Sequence, residues 1–162
     1  MTKHFVYLSI GGNLGEREAN LEETRLFIEF NMGSIVSESS IYESEAWAME
    51  DAAPFLNQIV KIETELTPEE LLLEIKELEE FYGRERVDGV YQSREMDIDI
   101  IFFDELILET AALNVPHPRM QLRKFVLLPL AEIAPDFIHP TLKKDIATLL
   151  VDCKDLSRIA KI

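Results

Sequence analysis

Asp97 and Asp99 stand two residues apart in Arg94-Glu95-Met96-Asp97-Ile98-Asp99-Ile100-Ile101-Phe102-Phe103, a run that reads as a buried strand. Side chains alternate along a strand, so the two carboxylates share a face about 6–7 Å apart, at two rises of roughly 3.3 Å. The same alternation predicts Met96, Ile98, Ile100 and Phe102 on the opposite face, with Ile101 and Phe103 continuing the aspartate face. Two like charges at the mouth of an apolar strand repel unless a cation lies between them. A carboxylate pair at this spacing can hold two divalent ions about 3.5–4 Å apart, an arrangement suited to in-line phosphoryl transfer. The same residues also fit a solvated strand end whose aspartates only blunt an edge. The spacing alone leaves both readings open.

The cations add to the first reading. Five of the eight arginines (Arg84, Arg86, Arg94, Arg119 and Arg123) fall between positions 84 and 123, with Lys124 beside them. An arginine presents a planar fork of donors suited to phosphate oxygens. Any one of these arginines could equally pair with surface glutamates; the cluster argues for a polyphosphate. His117 lies in Val115-Pro116-His117-Pro118-Arg119, where prolines restrict the backbone on both sides of a titratable ring. The only tryptophan, Trp47, lies in the 43–54 segment, which reads as an exposed loop, and large aromatics in loops often serve binding.

The elements that must position these groups can be read from periodicity and punctuation. Residues 4–10 form a first strand, ending at a tight turn, Gly11-Gly12-Asn13, whose backbone N–H groups can approach a ligand. A helix follows from about Glu16 to Phe30, with Ala19, Leu26 and Ile28 among its apolar positions and Gly33 after its end. Ile35 to Tyr42 reads as a second strand, and a third begins near Phe55 and alternates through Lys61 to Leu66. Thr67-Pro68-Glu69-Glu70 is a helix start with a capping box. That helix carries Leu71, Leu72, Ile75, Leu78 and Phe81 or Tyr82 as its stripe and stops at Gly83. Residues 84–93 read as a mobile loop, Leu106-Ile107-Leu108 as a short edge strand, and Leu122 to Ile133 as a segment containing a helix despite Pro129. The remainder reads as weakly structured. Alternating strands and helices imply an α+β fold with helices packed on one sheet.

Composition sets the outer limits. At 162 residues the chain is expected to form a single domain, 1–162, large enough to bury a core without staples. One cysteine, Cys153, excludes an internal disulfide framework and a cysteine-based zinc site, and suits a cytoplasmic protein. The net charge of −15 argues against nucleic acid as a partner, and no apolar run is long enough to span a membrane.

Taken in order, these segments resemble the 6-hydroxymethyl-7,8-dihydropterin pyrophosphokinase family. The likeness runs from Tyr7-Leu8-Ser9-Ile10-Gly11-Gly12-Asn13-Leu14-Gly15 to about Leu150, through Ser39-Ser40-Ile41-Tyr42-Glu43-Ser44, Phe55-Leu56-Asn57 and Tyr82-Gly83-Arg84. Arg94-x-x-Asp97-Ile98-Asp99-Ile100 and Val115-Pro116-His117-Pro118-Arg119-Met120 complete it. The resemblance implies a ferredoxin-like antiparallel sheet in a three-layer α/β/α sandwich. It also implies transfer of pyrophosphate from ATP to the pterin hydroxymethyl oxygen, with release of AMP, in folate biosynthesis. By the same resemblance Asp97 and Asp99 hold two Mg²⁺ ions, and Arg84 and Arg94 act on the triphosphate from a mobile loop. His117, Arg123 and Glu79 fall at nucleotide-side positions. Ser44, Trp47, Phe55, Asn57, Tyr91 and Phe125 fall at pterin positions. The expected partners are therefore the two small substrates, and a monomer is expected.

The chain departs from the family pattern at Gln92-Ser93, where many members have Gly-Pro before the Arg94 position, which puts the closing of that loop in question. Two other readings use the same features. A nucleotidyltransferase also pairs strand aspartates but releases pyrophosphate, and a metal-free regulatory binding module would leave Asp97 and Asp99 replaceable.

Overall fold

The computed structural model describes residues 2–45, 53–83 and 95–162. Trp47, Arg84, Tyr91 and Arg94, and the 84–93 loop itself, lie outside the described residues. Strand β1 (His4–Gly12) leads into helix α1 (Arg17–Asn31), then β2 (Ser34–Glu38), β3 (Tyr42–Ser44) and β4 (Phe55–Thr64). Helix α2 (Pro68–Phe81) precedes β5 (Asp97–Phe103), and β6 (Leu108–Glu109) pairs with β7 (Asn114–Val115) as a small separate ribbon. A 3₁₀ turn at Met120–Leu122, helix α3 (Lys124–Ile133), helix α4 (Ile146–Asp152) and strand β8 (Ile159–Lys161) follow.

The main sheet runs β5-β1-β4-β3-β8, with β2 also on β4, and every pairing is antiparallel. The core order β5-β1-β4-β2, with a helix after β1 and another after β4, is the ferredoxin-like arrangement that the resemblance implied. Alternation along the central strands divides the interior into two layers. Val6, Leu8, Ile10, Leu56, Val60 and Ile62 pack with Leu21 and Ile28 of α1 and Leu71, Ile75 and Leu78 of α2. Tyr7 and Ile59 face the other way, toward Val126, Leu127 and Leu130 of α3 and Ile146 and Leu149 of α4. The result is a three-layer α/β/α sandwich.

The local signals hold where they rest on nearest-neighbour chemistry. Thr67 caps α2 by accepting from Glu70 N at 3.2 Å, while the Glu70 carboxylate accepts from Thr67 N at 3.0 Å. Gly83 ends that helix at φ +70°, a conformation that favours glycine. Of the two candidate aromatics, Tyr82 packs against the core and Phe81 is 76% exposed.

Several expectations are corrected. The α1 stripe is Leu21, Thr24 and Ile28, spaced for one helical face; Ala19 and Leu26 point to solvent. The expected second strand breaks after Glu38, because Ser39 turns its hydroxyl to Ile59 N and Ser40 binds Glu132. Pairing resumes as β3, so Glu43 and Ser44 are strand and not loop. In β5 a register shift falls between the Leu8↔Ile100 and Tyr7↔Phe102 pairs, making Ile101 an extra residue. Past that bulge the faces exchange: Phe102 joins Ile101 in the α3 layer, and Phe103 goes to the α1/α2 layer, the reverse of strict alternation. The edge strand expected at 106–108 forms at Leu108–Glu109. Finally, the segment expected to be weakly structured holds α4, capped by Asp145 through Thr148 N at 2.8 Å, and β8, which completes the sheet.

Candidate functional site

Register brings the predicted side chains to one end of one sheet face. Asp97 lies opposite Gly11, Gly11 opposite Asn57, and Asn57 opposite Tyr42. One row further in, Asp99 lies opposite Ser9 and Ser9 opposite Ile59. Residues paired across a sheet share a face, so Asp97, Asp99, Asn57 and Tyr42 all face the α3 layer. Ser44 and Phe55, paired with each other, lie two residues along their strands from Tyr42 and Asn57 and face the same way. Neighbouring strands are about 4.8 Å apart, which sets the carboxylate pair and the Asn57 amide roughly 10 Å from each other.

Gly11 is what leaves the ground between them low. A Cβ there would meet Leu56 O at 2.3 Å and the Asn57 Oδ1 at 2.5 Å. Without it, the Asn57 side chain lies across β1, and its Nδ2 donates to Ser44 Oγ at 3.2 Å. Both Ser44 and Asn57 are buried, while Phe55 at the strand entry is half-exposed. The approach to Phe55 is fixed from the turn after β1 and from α1: Asn13 Nδ2 donates to Ala53 O at 3.0 Å and Arg17 Nη1 to Pro54 O at 2.8 Å. β3 is held from above by Glu132 of α3, whose carboxylate accepts from Ser40 N, from Ser40 Oγ at 2.9 Å and from Tyr42 OH at 2.6 Å. Burial and this carboxylate push the Tyr42 hydroxyl up to about 12.

His117 sits over β5. Its N–H donates to Ile101 O at the bulge, at 3.0 Å, and its Nδ1 accepts from Arg119 N at 3.2 Å. Burial and the Arg123 charge lower its pKa to about 4; Asp97 pulls in the opposite direction and Arg119 adds to the lowering. The ring is therefore neutral at pH 7, and with Nδ1 occupied its Nε2–H is the free donor, suited to an anionic oxygen. Arg123 immediately precedes α3, its guanidinium 5.7 Å from the half-buried Phe125 ring. The peptide of Ile98, between the two aspartates, donates to Glu79 Oε2 at 3.1 Å. Glu79, only 4% exposed on α2, thus braces the aspartate strand from beneath.

The donor set suits a hard divalent cation. Asp97 and Asp99 offer half-buried carboxylates, and no group of three or more His, Cys, Asp or Glu among the described residues is arranged to enclose a metal by itself. Mg²⁺ needs no such enclosure, since it keeps waters and takes phosphate oxygens alongside one or two carboxylates. Nine of the sequence-derived candidates are described: Ser44, Phe55, Asn57, Asp97 and Asp99 share one sheet face, His117, Arg123 and Phe125 lie on the α3 side, and Glu79 supports β5 from the opposite layer. Sequence reasoning missed Glu132 and Arg17, which act through contacts to segments 90 and 37 residues away. A separate open cavity of about 600 Å³, lined by Phe5, Tyr7, Lys61, Asp104 and Leu106, lies at the opposite end of β1, away from these groups.

Fold and site define an α+β protein of the ferredoxin-like class, with acidic, cationic and aromatic side chains toward one sheet end. The family model of 7,8-dihydro-6-hydroxymethylpterin-pyrophosphokinase matches residues 7–135. A 2-amino-4-hydroxy-6-hydroxymethyldihydropteridine pyrophosphokinase of Aquifex aeolicus is 41% identical over 144 residues, covering 86% of each chain. That of Bacillus subtilis is 41% identical over 131 residues, covering 80% of this chain and 78% of the relative. Among solved structures, the wild-type HPPK-DHPS of Plasmodium falciparum with pteroate aligns with a TM-score of 0.72 at 18% identity. That alignment covers 93% of this chain and 42% of the longer one. The chain belongs to the 7,8-dihydro-6-hydroxymethylpterin-pyrophosphokinase family and is an ATP-dependent diphosphotransferase.

Proposed function

We propose that the chain transfers the terminal diphosphate of ATP to the hydroxymethyl oxygen of 6-hydroxymethyl-7,8-dihydropterin, releasing AMP, as a step in folate biosynthesis. The observation that carries this reading is the row Asp97–Gly11–Asn57, which joins a carboxylate pair to a buried amide across a strand with no side chain between them. A flat heterocycle with a donor-and-acceptor edge suits that amide. Asn57 and Ser44 read the edge, and Phe55 and Phe125 contribute stacking faces. Trp47 and Tyr91 are assigned to the same pocket on sequence grounds. The hydroxymethyl arm then points along Gly11 toward Asp97 and Asp99.

Asp97 and Asp99 would hold two Mg²⁺ ions, which when bound neutralise phosphate charge and polarise the reacting oxygens. Arg123 and the neutral His117 bind the triphosphate on the α3 side. Arg84 and Arg94 are assigned to the triphosphate on sequence grounds, with Arg94 supplying charge stabilisation as the diphosphate moves. Glu79 keeps the strand between the aspartates in place. The reading includes a monomeric cytoplasmic enzyme; the lone Cys153 suits a reducing compartment, and no helix among the described residues is long and apolar enough to cross a membrane.

The test is product identity. With MgATP and the reduced pterin alcohol, AMP should form in step with the pterin diphosphate and only when both substrates are present. Release of pyrophosphate with an adenylylated pterin would replace this reading with nucleotidyl transfer.

A further inference from the structure

Helix α3 starts in an unfavourable way. Its N-cap position is Arg123, which makes no side-chain cap, and its first turn contains no acidic residue. Arg123 and Lys124 instead put two positive charges at the positive end of the helix dipole. Val126 N and Leu127 N both bond to Arg123 O, at 3.0 and 3.1 Å. The Lys124 amide is satisfied from 31 residues away, by Asp155 Oδ2 at 3.1 Å. The second oxygen, Asp155 Oδ1, accepts from Ser157 N at 2.9 Å and from Ser157 Oγ, which closes the chain into a turn. Burial pushes the Asp155 carboxyl up, but the bonds from Ser157 and Lys124 and the Lys124 charge outweigh it, and the group stays ionised well below neutral pH.

The same segment then continues into the sheet. Ile159 pairs with Ser44, Ala160 with Glu43 and Lys161 with Tyr42, and Ile162 N donates to Ile41 O at 2.9 Å. Strand β3 has only three residues, so β8 on one side and β4 on the other supply its whole ladder. One stretch of chain therefore touches the start of α3, which carries Arg123 and Phe125, and the strand that carries Ser44.

We propose that residues 155–161 are a strap that positions two walls of the substrate cleft, with Asp155 as the positioning residue for Arg123 and Phe125, and β8 as the brace for Ser44. The strap lies outside residues 7–135, the stretch that matches the family model. The inference rests on the functional reading above. Its physical content is a division of labour: the Asp155 cap serves a helix start facing both substrates, and β8 serves a strand facing only the pterin.

Three variants separate these roles: Asp155→Ala, Asp155→Asn, and a chain ended after Arg158, which keeps the cap and removes β8. Calorimetry measures the affinity of each for a non-hydrolysable ATP analogue and, with the analogue saturating, for 6-hydroxymethyl-7,8-dihydropterin. Asp155→Ala should weaken both ligands by roughly fivefold, within the roughly twofold to thirtyfold range that loss of a helix cap corresponds to. Asp155→Asn keeps an acceptor for the Lys124 amide and should restore most of that loss. The chain ended after Arg158 should lose pterin affinity while binding the nucleotide as wild type does. A purely structural strap would lower the melting temperature and leave both affinities intact well below it, which would overturn the inference. So would wild-type affinities in all three variants. If Asp155→Ala does not fold, the other two variants still decide: a truncated chain that loses both ligands equally refutes the division of labour. A wild-type chain that binds neither ligand would overturn the functional reading itself, a result distinct from variants that match a ligand-binding wild type.

Discussion

Replacing Glu79 by alanine separates a structural brace from a nucleotide ligand. Glu79 is 4% exposed, and its Oε2 accepts the Ile98 amide at 3.1 Å. β5 is an edge strand, with β1 as its only neighbour in the main sheet among the described residues. Ile98 therefore relies on α2 for this bond. A hydrogen bond to an ionised acceptor contributes about 1.5–3 kcal/mol net, and a buried amide left without a partner costs a comparable amount. These are two views of one loss, so Glu79→Ala should destabilise by about 2–3 kcal/mol. For a domain of this size that corresponds to a fall of roughly 4–12 °C in Tm. Glu79→Gln keeps an oxygen acceptor without the charge and should lose about half as much. Urea titration gives the stability, and calorimetry with a non-hydrolysable ATP analogue gives the affinity. Turnover should fall with the brace, because the Ile98 peptide lies between Asp97 and Asp99. Unchanged stability in Glu79→Ala, together with a large loss of nucleotide affinity, would refute the reasoning and make Glu79 a direct nucleotide ligand, the role its family position implied.

Asp97→Ala and Asp99→Ala should each abolish turnover while circular dichroism stays that of wild type, since both carboxylates are half-exposed and lie outside the apolar core; near-normal turnover with Mg²⁺ in either variant would contradict the metal assignment. Arg94→Ala should cost mainly turnover, by roughly 2–4 kcal/mol, because it acts as charge develops. Arg123→Ala should instead show the larger rise in the ATP dissociation constant, and steady-state kinetics with equilibrium binding on both variants would expose a reversal. His139 is buried, and its Nδ1 accepts from Thr141 N and Leu142 N at 3.1 and 3.0 Å, so the folded state favours the neutral ring and burial lowers its pKa. The unfolded chain takes up this proton first, near pH 6.5. The contribution is therefore fully present above about 6.5 and is lost as the pH falls from there through the lower folded value. Denaturant midpoints across pH 7.5 to 5 should drop more steeply for wild type than for His139→Asn.

The sequence by itself determined whatever depends on contacts between near neighbours. Thr67, Pro68 and Glu70 specify the start of α2 because the bonds they make span three residues. Alternation put Asp97 and Asp99 on one face for the same reason, and the family likeness supplied the roles assigned to them. Tertiary structure decided everything that depends on which segments meet and in what register. The β5 bulge exists only relative to β1, and it moved Phe102 and Phe103 to faces that strict alternation could not assign. Gly11 reads as a turn glycine until β4 is laid beside it; its function is then to leave room for the Asn57 side chain. Glu79, Glu132 and Asp155 look like three among many acidic residues, and no local pattern separates a solvated carboxylate from one that accepts a distant amide. Their partners lie 19, 92 and 31 residues away, and only the packing of α2, α3 and the 155–161 strap against the sheet brings them within bonding distance. A hydrogen bond needs its two atoms within about 3 Å, and over such separations only the completed fold fixes that distance.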